Sequence, residues 1–70
     1  MPFSAKKWNR EVTQKIIDNG TYCCKINDRL FHIEVERWNG DKPVEFRGWF
    51  ADNHSVETLG KTPLKVYYDA

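Results

Sequence analysis

Residues 21–50 read TYCCKINDRLFHIEVERWNGDKPVEFRGWF, and the spacing of their apolar side chains decides the fold. Tyr22, Cys24 and Ile26 recur at every second position, and so do Phe31, Ile33 and Val35. Val44, Phe46 and Phe50 follow the same rule, with Gly48 at the intervening inward position. Successive side chains of an extended chain point to opposite sides, so each set marks one face of a half-buried strand. The pattern predicts strands over about 21–26, 30–38 and 43–51, separated by the turn formers Asn27-Asp28 and Asn39-Gly40.

The registers follow from the turns. A two-residue turn at Asn27-Asp28 sets Cys24 opposite Phe31 and Tyr22 opposite Ile33, apolar against apolar on one face. At the second hairpin, a two-residue turn at Asn39-Gly40 would set Glu34 against Glu45, which is repulsive. A four-residue loop, Asn39 to Lys42, instead sets Glu34 opposite Arg47, Val35 opposite Phe46 and Phe31 opposite Phe50. Charge pairing favours the longer loop, whereas Asn-Gly favours the shorter one. Either choice keeps the same core face.

Upstream, Ser4 is a good N-cap and Phe3 before it can staple onto Trp8. Trp8, Val12 and Ile16 recur every four residues, Ile17 widens the stripe, and Asn19-Gly20 is a C-terminal signal. One amphipathic helix is expected over about residues 5–19, its other face carrying Lys6, Lys7, Arg10 and Gln14. Downstream, Leu64, Val66 and Tyr68 alternate and read as a final strand over about 64–68. Residues 52–63 between them read as a loop with at most one helical turn at Val56–Leu59, ended by Gly60 and Pro63. The expected fold is α+β: one N-terminal amphipathic helix packed on a four-stranded antiparallel sheet, order α-β-β-β-β, as a single domain over residues 1–70. The last strand could pair with the first or the third.

Composition narrows the function. With 70 residues the core must be efficient, since a chain this small buries only about 60% of the surface its unfolded form exposes. Ten aromatics (three Trp, three Tyr, four Phe) supply apolar area. Phe3, Trp8, Tyr22, Phe31, Phe46, Phe50 and Tyr68 are assigned to the interior or its staple, which leaves Trp38, Trp49 and Tyr67. A net charge of +1 argues against a strongly basic nucleic-acid binder or an acidic DNA mimic. The start, Met1-Pro2-Phe3-Ser4, lacks the apolar run of a signal peptide, no stretch is long enough to span a bilayer, and no lipidation motif occurs. Cys23 and Cys24 are neighbours that would point to opposite faces of a strand, so no disulfide framework is expected. The chain reads as a cytoplasmic protein without a membrane partner.

The arrangement leaves an outer sheet face of Cys23, Lys25, Leu30, His32, Glu34, Glu36, Trp38, Glu45, Arg47 and Trp49, joined by Lys65 and Tyr67 of the last strand. Two accounts compete for its aromatics. Residues 52–63 fold back over it, or it is a binding surface, since Trp, Tyr and Arg are the usual interface anchors. On the second account Trp38, Trp49, Arg47, His32, Glu34 and Tyr67 would bind a protein partner, as an inhibitor or adaptor does, and a homodimer would use the same residues. Nucleic acid ranks second. Exposed aromatics beside Arg47 and Lys25 can stack bases, and Lys6, Lys7 and Arg10 form a basic helix side; residues 1–29 hold six cations against three anions. Glu34, Glu36 and Glu45 on the sheet face would repel phosphate.

Signatures of chemistry are sparse: no CxxC, HExxH, Gly-rich phosphate loop or GxSxG occurs. The first register does set Cys23 opposite His32, with Glu34 two residues along, and a thiol beside a carboxylate-oriented base is a nucleophile's arrangement. With His54 the trio is also a remote metal-site alternative. A flat sheet face offers no pocket or oxyanion donor, so no catalytic residue, metal or cofactor is assigned. A helix followed by three strands is similar in outline to double-stranded RNA-binding domains, which need a long second helix where Leu64–Tyr68 reads as strand. Arg47-Gly48-Trp49-Phe50 followed by Ser55-Val56-Glu57 resembles the arm-binding domain of some integrases, whose full helix Gly60 and Pro63 forbid. Neither family is adopted.

Overall fold

A computed structural model of the chain describes residues 3–70; Met1 and Pro2 of the expected domain lie outside the described residues. The elements are α1 (Ala5–Asn19), β1 (Tyr22–Ile26), β2 (Arg29–Asn39), β3 (Lys42–Phe50), β4 (Asn53–Gly60) and α2 (Pro63–Tyr68). The four strands form one antiparallel meander in the order β1-β2-β3-β4. Among the described residues no helix is long and apolar enough to cross a membrane.

Local chemistry sets the boundaries. The Lys7 amide donates to the Ser4 hydroxyl at the start of α1, and Gly20 closes it in the left-handed region, φ 88°, its N–H donating to Ile16. Asn27 and Asp28 both have positive φ, 50° and 64°, as the tightest hairpin turns require. Cys24 then faces Phe31 and Tyr22 faces Ile33, as expected. The second hairpin also has the charge-paired register, Glu34 with Arg47 and Phe31 with Phe50. Its loop is shorter than the four residues that charge pairing favoured, and its two-residue turn is one position beyond Asn39-Gly40. Asn39 and Lys42 are themselves paired, leaving Gly40 (φ 65°) and Asp41 in the turn, and a bulge near Glu36 and Arg37 takes up the irregularity.

Two expectations are overturned. Residues 53–60 are neither loop nor helical turn but the fourth strand, β4, paired with β3 from Phe46↔Gly60 to Trp49↔Glu57. Residues 64–68 are not a strand but lie in α2. Thr62-Pro63 explains the second reversal. The Thr62 hydroxyl accepts from the Lys65 amide, and proline at the first helical position gives up a hydrogen bond that the helix start does not use. The sheet is therefore four-stranded as expected, with a different fourth strand and an added helix.

The core is Val12 and Ile16 of α1, Phe31 and Ile33 of β2, Phe46 of β3 and Val66 of α2, each at most 3% exposed. Trp8, Tyr22, Cys24, Ile26, Val35 and Phe50 are half-buried around them. α1 packs on β1 and β2, α2 on β3 and β4, and the helices touch each other. The Leu64 amide donates to Asn9 Oδ1 across that helix contact, 2.8 Å, and the Thr58 hydroxyl ties β4 to the Val66 carbonyl, 3.0 Å. Tyr68, assigned above to the interior, is exposed, because α2 carries Val66 inward and Tyr68 outward; Phe3, assigned to the staple, is exposed as well.

Candidate interaction surface on the uncovered sheet face

Both helices lie on one side of the sheet, so the other side is left without a second layer. β4 extends the sheet, and residues 52–63 do not fold back across it. Register places the face in rows. Cys23, His32, Trp49 and Glu57 cross the four strands in one row, and Glu34, Arg47 and Leu59 cross three in the next. Leu30 lies opposite Lys25 at one end.

Side chains in these rows interlock. Cys23 Sγ is 3.0 Å from His32 Nδ1, and the His32 ring stacks on Trp49 with centroids 5.5 Å apart and planes 21° from parallel. His54 meets the same indole edge-on at 6.4 Å, and the Arg47 guanidinium lies 5.1 Å from its centroid. Trp49 is thereby half-buried by polar and aromatic neighbours while Leu30 (43% exposed) and Leu59 (52% exposed) stand open to solvent.

Arg47 is the electrostatic centre. It donates to Glu34 and lies 3.5 Å from Glu36 and 3.8 Å from Glu57. The Glu34 hydrogen bond, aided by all three carboxylates, holds the guanidinium above its ordinary pKa despite partial desolvation. One cation among three anions makes the centre of the face acidic. Arg47 thus organises the surface and has little left for a phosphate. Cys23 and His32 are together, yet no group of three His, Cys, Asp or Glu among the described residues could hold a metal ion.

Of the residues singled out by sequence, the structure brings together His32, Glu34, Arg47 and Trp49. Trp38 is apart, paired with Pro43 beyond the bulge and 48% exposed near the hairpin tip. Tyr67 is not on this face, because residues 63–68 are helix; it packs edge-on against Trp8 at 5.6 Å on the helix side. Lys6, Lys7 and Arg10 are on α1, also across the sheet, with Lys7 4.0 Å from Glu11. Lys25 sits on the edge strand and lines a 300 Å³ concavity with Trp8, Tyr22 and Tyr67. The sequence reading did not place His54, Glu57 and Leu59 on this face, and named His54 only as a remote metal-ligand alternative. Their signal was the alternation Glu57, Leu59 outward against Thr58, Gly60 inward, short and without an apolar inner set.

On the helix side a second concavity of about 380 Å³ lies between α1, the start of β3 and the β4–α2 connection; Arg10, Lys42 and Lys61 are among its lining residues. No protein-family model, no curated protein and no solved structure matches the chain.

Proposed function

We propose that this chain is a small binding module of the cytoplasm that docks a protein partner on the uncovered sheet face. One observation carries the reading: the face exposes Leu30 and Leu59 on either side of the His32–Trp49 stack while every helix packs on the opposite side. A rigid stacked aromatic flanked by open aliphatics is the composition of interface anchors. Glu34, Glu36 and Glu57 outnumber Arg47, so the fitting partner presents an apolar patch bordered by Lys or Arg. The same carboxylates weigh against nucleic acid on this face. Two neighbouring free thiols, Cys23 and Cys24, support a reducing compartment.

The test compares affinity capture by the wild-type chain and by a Leu30→Lys/Leu59→Lys variant whose fold is verified by circular dichroism. A protein retained by the first and lost by the second, then titrated directly as a purified component, is the expected result. Identical capture by both removes the reading. Light scattering separates a second copy of the chain, since a dimer dissociated by the variant assigns the face to self-association.

A further inference from the structure

The cations of this protein divide into those that have a carboxylate partner and those that have none. Lys7, Arg29, Arg37, Arg47 and Lys65 each have a carboxylate within 4.0 Å. Arg10, Lys42 and Lys61 have none among the described residues, and all three are exposed at the 380 Å³ cavity beside α1. No Asp or Glu lines that cavity. Lys6, one turn before Arg10 on α1, extends the positive stripe.

The cavity has other features of an anion site. Asn9 accepts the Leu64 amide through Oδ1, which fixes its carboxamide orientation and leaves its N–H donors uncommitted. Thr13 adds a hydroxyl at the wall, while the Gln14 amide there donates to Asp18 Oδ1, 2.8 Å. Phe46, Pro43 and Pro63 give an apolar floor, next to which a charge–charge attraction is screened less than in open water. Phe46 is 3% exposed and anchored in the core, so that floor is fixed.

We propose that this cavity binds phosphate groups of a nucleic-acid strand, with Arg10, Lys42 and Lys61 as the cationic contacts. The site is independent of the sheet face and lies on the other side of the molecule. The acidic cluster around Arg47 repels a polyanion from that face and so steers it toward the helices. The sequence had pointed to Arg10 with Lys6 and Lys7; the fold supplies Lys42 and Lys61, which are 32 and 51 positions further along the chain.

The experiment is fluorescence anisotropy of labelled single-stranded and duplex oligonucleotides over a range of salt concentrations, with inorganic phosphate and a nucleoside triphosphate titrated separately. Three phosphate contacts give a slope of log K against log salt of about −2.7 on a duplex or about −2.1 on a single strand. Arg10→Gln/Lys61→Gln removes two contacts and is expected to leave a slope of about −0.9 or about −0.7. Arg29→Gln, a cation at the opposite end of β2 from the turn that carries Lys42, is expected to leave the slope near the wild-type value. Thermal unfolding of each variant shows that the fold is retained. Absence of oligonucleotide binding at low salt overturns the proposal, as does a slope unchanged in the double variant or lowered equally by Arg29→Gln. Binding of phosphate or the triphosphate without the oligonucleotides overturns the strand as ligand.

Discussion

Gly48 is opposite Ile33 on one side and Thr58 on the other, in the middle of the sheet and facing the helices. A Cβ at this position would fall under 3.0 Å from Phe31 and from Val66, two side chains that are themselves fully buried and have no room to withdraw. The missing side chain therefore lets α2 seat Val66 against β3. Gly48→Ala is expected to destabilise the fold by about 1–3 kcal/mol through overpacking. A urea midpoint equal to that of the wild type would show that the helix can shift aside. From sequence, Gly48 was recognisable as an inward position but its reason was not, because the residue that needs the space, Val66, had been placed in a strand. Glu34 and Arg47 were fully legible: opposite charges across a hairpin select a register without any knowledge of the rest. What sequence did not show is that Glu36 and Glu57 converge on the same guanidinium, one through a bulge and one through β4.

Among the elements, α1 and the two hairpins were readable because periodicity, caps and turn residues agree there. β4 and α2 were not, and each failed for a physical reason. β4 is an edge strand bonded on one side only, its inner positions are Thr58 and Gly60, and α2 covers it through the Thr58 hydroxyl–Val66 carbonyl bond and the Lys65 and Val66 side chains over Gly60 instead of an apolar row. Asn53-His54-Ser55 therefore looks like loop. In α2, Leu64, Val66 and Tyr68 happen to alternate, and five residues are too few to separate a period of two from one of 3.6. The signal that decides is Thr62-Pro63, an N-cap followed by a proline at the first helical position. A helix of six residues does not hold itself in water, so α2 depends on its cap and on burial of Pro63 and Val66. Thr62→Ala is expected to cost about 1 kcal/mol by removing the bond from the Lys65 amide. Because Val66 belongs to the common core, the loss should appear in the single cooperative thermal transition. A separate early melting step, with the main transition unmoved, would instead mark α2 as an independent appendage.

For the whole molecule, titration behaviour follows from where its perturbed groups lie. On the helix side, burial first, with nearby Cys24 and Tyr67 adding, pushes the Tyr22 hydroxyl above its ordinary 10.0; burial, with Cys23 adding, pushes the Cys24 thiol above 9.0. The folded form thus keeps both protons at a pH where the unfolded chain releases them. Their contribution is complete below the unfolded values and is lost as pH rises through the folded ones. Asp52 has the opposite sign. Its hydrogen bonds from Arg29, 2.7 and 3.0 Å, join the start of β2 to the β3–β4 turn and hold its carboxyl below 3.8. That contribution is complete above 3.8 and is lost as pH falls. Urea midpoints measured against pH should therefore decline from about pH 9 upward and again below about pH 4. The acid limb is expected to be shallow, since the Arg29–Asp52 pair is solvent-exposed and such pairs contribute little. Tyr22→Phe and Cys24→Ala should each flatten the alkaline limb, and Asp52→Asn the acid one. A midpoint that rises between about pH 9 and 11 would reverse the sign assigned to Tyr22 and Cys24, and with it the packing of α1 over β1 from which their desolvation comes.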